Sequence, residues 1–314
     1  MAEKKAEQYY TPPPKLGKWE GFRIFLWNSE THQFLGRTGA SWAKILLFYV
    51  LFYSGLIGFF IAMIAVFYQT IDLRIPKWQQ DKSLIGNNPG LGFRPMPPES
   101  NVESTLIWYR GNDENNYKYW TDELDKFLAV YKNPGIIPGD GKSTVHCDYD
   151  NYPGDKVCYV DPKEWRTCSS ELQYSYPRSA PCIFLKLNKI YNWIPEYYNE
   201  TNSLPDKMPS DLQTHIKNIQ NPHELNTVWV SCEGENPADV ENIGPIQYIP
   251  RRGFPGYFFP FTNKEGYLSP LVAVWFERPT TGVLINIECK AWAHNIIHDR
   301  AERRGSVHFE LMVD

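Results

Sequence analysis

The chain has 314 residues, a formal net charge of −4 and 15% aromatic residues. Charge is divided unevenly, with seven Lys/Arg against four Asp/Glu up to Lys44 and 25 against 32 beyond it. No basic patch interleaved with aromatics stands out, so nucleic acid is excluded as a partner, and residues 1–44 are too few and too polar to bury a core of their own.

Residues 1–20, with Lys4, Lys5, Tyr9, Tyr10 and Pro12-Pro13-Pro14, read as a solvated tail. Residues 21–44 carry Phe22, Phe25, Trp27, Phe34 and Trp42, too many aromatics for a free tail. Aromatics of this kind settle at a membrane–water interface, with Trp42 at the headgroup level. Residues 45–67 then run for 23 positions without one Asp, Glu, Lys or Arg. As a helix this run is roughly 34 Å long, enough to cross a hydrocarbon core of about 30 Å. It starts behind a long polar tail, unlike the apolar core of a cleaved signal peptide, so it reads as an uncleaved signal-anchor. On a helical wheel Tyr49, Tyr53, Leu56 and Phe60 share one face, and Ser54, Gly58 and Ala62 form a small-x3-small ladder nearly opposite. Such a ladder permits close approach of a second helix.

Residues 68–103 read as an extracellular stalk, because Pro76, Pro89, Pro95, Pro97 and Pro98 suppress helix and Gly86, Gly90 and Gly92 loosen the chain. From residue 104 to 314 an outer domain is expected. Residues 105–109 read as a strand. A helix is expected over residues 122–132, capped by Thr121 and stopped at Pro134-Gly135, with Leu124, Phe127, Leu128 and Tyr131 as its apolar stripe. Residues 181–185 form a second strand, and residues 195–225 read as polar and exposed. The last third alternates with period two: Val228, Val230, Cys232; then Val283, Ile285, Ile287, Cys289; then Val307, Phe309, Leu311, Val313. Turn signals between these runs argue for an antiparallel β-sandwich.

Lys/Arg counts beside the span do not settle its orientation. Cysteines do: Cys147, Cys158, Cys168, Cys182, Cys232 and Cys289 all follow the span, and no C-x-x-C occurs. An even number confined to one side is a disulfide set in an oxidising compartment. The sequon Asn199-Glu200-Thr201 lies on that side and makes Asn199 a glycosylation candidate. The expectation is a type II protein of the plasma membrane, with residues 1–44 cytoplasmic and the C-terminus outside. Cys232 and Cys289 fall on the apolar parity of their strands, but six cysteines allow fifteen connectivities.

The spacing Phe22-x2-Phe25-x-Trp27-Asn28-x6-Leu35-Gly36-Arg37-Thr38-x3-Trp42 resembles the signature of the sodium/potassium-transporting ATPase β-subunit family, which also contains the β subunit of the gastric proton/potassium pump. Phe48-Tyr49-x2-Phe52-Tyr53 resembles that family's aromatic motif, whose two tyrosines contact the catalytic α subunit. The stretch Phe258-Phe259-Pro260-Phe261-Thr262-Asn263-Lys264 resembles the segment by which the family's outer domain touches an extracellular loop of α, although Thr262-Asn263 departs from the usual Tyr-Gly. Around Cys158 and Cys168 the match is partial, with Asp155, Tyr159, Trp165 and Ser170 departing from it. The resemblance implies an immunoglobulin-like outer domain and disulfides in consecutive order: Cys147–Cys158, Cys168–Cys182 and Cys232–Cys289. On the chain-entropy view the first loop contributes roughly 3 kcal/mol and the last roughly 4. It implies contacts to α through Tyr49, Tyr53, Phe258, Phe259, Pro260 and Phe261. The Ser54, Gly58 and Ala62 face is then open to a further small single-span regulatory subunit, and the bilayer is the remaining partner.

No residues of this chain assemble a catalytic constellation. Gly141-Lys142-Ser143 lacks the earlier glycine of a phosphate-binding loop, since position 136 is Ile. His294 and His298 are spaced as in helical zinc sites, without the following Glu or a third ligand. Asp81-Lys82-Ser83 is not the Asp-Lys-Thr-Gly-Thr of an aspartyl-phosphate enzyme, and Asp122-Glu123-Leu124-Asp125 is not a D-x-D metal motif. No metal or cofactor is therefore expected. The reading is a non-catalytic β subunit of a sodium/potassium pump that assists folding, membrane delivery and stability of α and modulates potassium affinity. The alternative is a type II adhesion or receptor glycoprotein acting without a pump.

Overall fold

The computed structural model describes residues 17–101, 104–133, 143–201, 203–299, 302 and 304–314. The tail features up to residue 14, the helix stop expected at Pro134-Gly135 and the Gly141-Lys142 dipeptide lie outside these residues. The chain divides into two compact units, residues 1–72 and residues 73–314.

The first unit begins with helix α1 (Lys18–Leu26). Three two-residue strands follow, Trp27–Asn28, Gln33–Phe34 and Arg37–Thr38, paired antiparallel in that order. Gly36 takes φ +72°, a left-handed conformation that glycine adopts without strain at this turn. The Trp42 indole N–H donates to the Phe34 carbonyl at 2.8 Å and ties the meander to helix α2 (Gly39–Gln69). That helix runs past the uncharged stretch at both ends, because no proline or glycine pair interrupts residues 39–44 or 68–69. It is long and apolar enough to cross a membrane, and none of its side chains is buried.

The second unit is a β-sandwich. Its strands are β1 (Leu91–Arg94), β2 (Leu106–Tyr109), β3 (Cys182–Leu187), β4 (Thr227–Gly234), β5 (Ile246–Ile249), β6 (Gly253–Pro255), β7 (Leu271–Phe276), β8 (Leu284–Trp292) and β9 (Ser306–Val313). One sheet has the order β5-β7-β3-β1 and the other β6-β4-β8-β9-β2. Their pairings are antiparallel except β9 with β2, which is parallel. Period-two alternation sends Ile285, Ile287, Cys289, Phe309, Leu311 and Val313 inward, and all are at most 1% exposed. Phe309 joins the sheets, with its ring 5.0 Å from Phe93 of β1 and 6.3 Å from Phe276 of β7.

Three sequence expectations are corrected. First, the helix over the sandwich is α3 (Glu114–Lys132), eight residues longer at its start than expected. Its N-cap is Asp113, whose side chain accepts from the Asn115 N–H, and Thr121 lies buried inside the helix. Tyr117 and Trp120 extend the apolar stripe that was legible only from Leu124 onward, and the polar residues between them hid it. Second, residues 91–94, expected in the stalk, form β1, which pairs with β3 and buries Leu91 and Phe93. Four residues flanked by prolines carry too short a period to announce a strand. Third, residues 195–225 are not merely an exposed loop. Met208, Leu212, Ile216 and Leu225 are buried with Tyr198 against Trp229 and Trp292, and helix α4 (Ser210–Lys217) supplies two of them. This cover explains why Trp229 and Ser231, on the outward parity of β4, are buried as well. The Trp292 indole donates to the Ser231 hydroxyl at 2.8 Å beneath it.

Helix α5 (Pro237–Asn242) is pinned by Asp239, which is 5% exposed and accepts from the Asn286 N–H at 3.1 Å and the Asn236 side chain at 2.9 Å. Burial pushes the Asp239 carboxyl up, but the hydrogen bonds from Asn286 and Asn236 outweigh it and hold the group below the ordinary carboxylate range. A depressed folded-state pKa means its stabilisation is complete above the unfolded value of about 3.9 and is lost as pH falls through the folded value.

Phe309→Ala is expected to lower the free energy of unfolding by about 3–5 kcal/mol in a urea titration followed by tryptophan fluorescence, through the cavity it leaves between the sheets. Asp239→Ala is expected to cost about 1–3 kcal/mol at neutral pH by stranding the Asn286 N–H, and to flatten the acid limb of the stability profile below pH 4.

Candidate interaction surfaces

Helix α2 presents two surfaces. The Tyr49 and Tyr53 rings stack at 6.0 Å and 21°, one turn apart, and Phe48 and Phe52 stack at 6.0 Å and 14° beside them. The tyrosines are 50% and 53% exposed. With Trp42, Ile45, Leu46, Val50, Ser54 and Ile57 they line a shallow apolar groove of about 490 Å³ along the helix. A groove beside stacked rings is a shape another apolar helix can fill. Ser54 sits at the rim of this groove, so it borders the tyrosine surface as well as heading the Ser54-Gly58-Ala62 ladder. A Cβ built on Gly58 meets nothing within 4 Å, so the ladder is open along its middle.

In the second unit the aromatic–proline segment is not a strand. It follows the short 3-10 turn Gly256–Phe258. Phe258 is 7% exposed and packs with Tyr257 and the Cys147 and Cys158 side chains. The turn aims this ring inward, where it covers a disulfide. Phe259 and Phe261 are half-buried and Pro260 is exposed, so the accessible part of the segment starts at Phe259. The Trp193 ring meets Phe259 edge-on at 5.6 Å.

Phe261 and Tyr267 face each other at 4.9 Å, and the Lys189 ammonium lies 5.0 Å from both ring centroids. Burial, then the nearby Lys186, lower the Lys189 pKa. The Lys264 ammonium donates to the Gly154 carbonyl at 2.7 Å, which orders the loop beside Pro260. Together these groups line a concavity of about 780 Å³ that includes Tyr191, Asn263 and Arg74. Sequence reasoning missed Lys189. The only signal was a lysine two residues after a buried strand, which is common at strand ends.

The cysteines form three bridges: Cys147–Cys158 (2.04 Å), Cys168–Cys182 (2.05 Å) and Cys232–Cys289 (2.05 Å). The first supports the Phe258 turn and the second ties the 3-10 stretch Pro162–Cys168 to β3. The third links directly opposed residues of β4 and β8. Asn199 is exposed, as an acceptor for a glycan must be.

The decoy motifs stay apart. His294 stacks on Tyr198 at 4.1 Å, whereas His298 Nε2 lies 2.7 Å from the Ala291 carbonyl. Burial lowers the His298 pKa. Among the described residues no group of three His, Cys, Asp or Glu is placed to hold a metal. The surfaces thus offer stacked rings, an apolar groove and small-residue gaps, which are means of binding a protein.

The family described as Sodium / potassium ATPase beta chain matches residues 13–309. The Sodium/potassium-transporting ATPase subunit beta-2 of Drosophila melanogaster is 59% identical over 311 residues, covering 98% of this chain and 96% of the relative. Subunit beta-1 of the same organism is 40% identical over 305 residues, covering 96% and 95%. The human subunit beta-2 is 30% identical over 311 residues, covering 94% of each.

Lys189→Met keeps the aliphatic stem and removes the charge between the two rings. It is expected to cost about 0.5–2 kcal/mol in chemical denaturation, the range for partly desolvated cation–π contacts.

Proposed function

Because the chain belongs to the sodium/potassium ATPase beta chain family, we propose that it is the non-catalytic β subunit of a sodium/potassium-transporting P-type ATPase, held by the catalytic α subunit. The observation that carries this reading is the 59% identity to a named β subunit over nearly the whole of both chains. The unaccompanied apolar helix supports it. A 31-residue helix with a long uncharged apolar run and no buried side chain needs apolar surroundings supplied from outside the chain.

In this reading residues 45–67 cross the plasma membrane once, with residues 1–44 in the cytosol and the outer domain outside. Three bridges and no free cysteine favour that side as the oxidising one. Asn199 carries a glycan there. The Tyr49–Tyr53 face and its groove receive the outer helices of α. Phe259, Pro260 and Phe261 meet an extracellular loop of α. Gly58 and Ala62, with Ser54 at the edge, accept a second helix, such as a small single-span regulatory subunit. Held at these levels, the chain assists folding, membrane delivery and stability of α and modulates its potassium affinity. It supplies no cofactor and no catalytic group.

Tagged full-length chain extracted in mild detergent is expected to recover a multi-span ATPase, and failure to do so would sink the reading. Replacing both Tyr49 and Tyr53 by alanine is expected to reduce that recovery several-fold while leaving the chain in the membrane. Gly58→Leu is expected to leave recovery of α intact and to block association of a second single-span protein. Unchanged association of every partner would remove the small-face assignment. In sealed microsomes a C-terminal tag is expected to resist added protease, and its digestion would reverse the topology.

A further inference from the structure

The segment that leaves the span helix carries exposed apolar side chains among cations. Leu73 is 85% exposed, Ile75 49% and Trp78 65%, with Arg74 and Lys77 between them. The Lys77 ammonium lies 5.5 Å from the Trp78 ring centroid. This segment is not a loose linker. The Asn263 side-chain amide donates to the Arg74 carbonyl at 3.1 Å, the Asn192 amide donates to the Gln79 side-chain oxygen at 3.1 Å, and the Gln80 amide donates to the Asn192 carbonyl at 2.8 Å. Both ends are therefore lashed to the outer domain, and residues 75–78 bow out between the lashings. The backbone bends at residues 73, 74, 75, 77 and 78.

Covalent geometry limits where this bow can lie. The uncharged run ends at Phe67 and the helix at Gln69. Four further residues reach at most about 14 Å even when fully extended. The headgroup layer on each side of the hydrocarbon core is roughly 5–8 Å deep. If residues 45–67 fill the core, Leu73 thus lies no more than roughly 10 Å beyond the lipid headgroups. Tryptophan settles at that level, and Lys and Arg lay their stems on apolar groups there while their charges meet phosphate. Asp72, Arg74 and Lys77 together leave one net positive charge over residues 72–78.

We propose that residues 73–78 are an interfacial anchor whose partner is the phospholipid surface. Leu73, Ile75 and Trp78 enter the headgroup layer, Arg74 and Lys77 meet lipid phosphates, and Asn192 and Asn263 couple the anchor to the outer domain. The anchor fixes the height of that domain over the bilayer. This inference rests on the membrane span of the proposed function.

The test reconstitutes the full-length chain in phosphatidylcholine vesicles containing two photoactivatable lipids, one with a diazirine on the headgroup and one with a diazirine on the acyl chain. After irradiation and trypsin, mass spectrometry reads the peptides 45–74, 78–82 and 119–126. The acyl-chain probe is expected to label 45–74. The headgroup probe is expected to label 78–82 several-fold above 119–126, whose Tyr119 is 39% exposed. Trp78→Glu is expected to bring labelling of 78–82 down to the level of 119–126 without changing that of 45–74. Labelled 45–74 with unlabelled 78–82 overturns the anchor alone. Unlabelled 45–74 overturns the membrane span itself. Loss of headgroup labelling of 78–82 in vesicles carrying the assembled complex also overturns the anchor.

Discussion

Helix α2 sets the terms for the rest of the molecule. A helix satisfies its own backbone hydrogen bonds, so an apolar one is stable in hydrocarbon, while in water its whole side-chain surface would be a cost. None of its residues finds burial within the chain. Every surface it carries must therefore be matched by lipid or by another protein, and its side chains divide that role. Stacked tyrosines offer area at low entropic cost, and glycine and alanine offer proximity.

The β-sandwich solves the opposite problem. It sits in water and needs a core, and it builds one from two sheets with Phe309 at their centre. Both sheets are covered again on the outside. Trp165 and Tyr174 lie edge-on against Phe184 of β3, and residues 198–225 lie over Trp229 and Trp292. The Tyr174 hydroxyl donates to Asp125 at 2.7 Å, and Asp125 also pairs with Lys132 at 2.6 Å, which joins helix α3 to the same layer. Strands buried on both faces read as continuous apolar runs, as β3 does in Cys182-Ile183-Phe184-Leu185.

How legible each part was follows from the range of the forces that form it. The β-rich fold and the single apolar helix were readable, because period-two alternation and a long uncharged run are local patterns repeated many times. Strands β8 and β9 are plain in Ile285, Ile287, Phe309 and Leu311. Strand β1 was not legible, since Leu91 and Phe93 gain their burial only from β3, almost a hundred residues away. The start of α3 was hidden because Tyr117 and Trp120 are amphipathic and read as surface. The cover over β4 was hidden because its apolar residues are widely spaced among polar ones. The inward turn of Phe258 was hidden for a related reason. Composition marks a cluster of rings, but only the turn at Gly256–Phe258 decides which ring faces inward.

The amino-acid order by itself determined the single apolar helix, the β-rich domain after it and the family, because each rests on spacing along the chain. Tertiary structure alone decided that Lys189 sits between Phe261 and Tyr267, that Asn192 and Asn263 hold residues 74–80, and that Ser54 borders the tyrosine groove. Lys189 and the two asparagines act on partners far off in sequence or on neighbouring loops, at distances set by how the sheets stack. Short-range pattern carries no information about such separations. A charge beside a ring, or an amide facing a backbone carbonyl, exists only once the fold has closed around it.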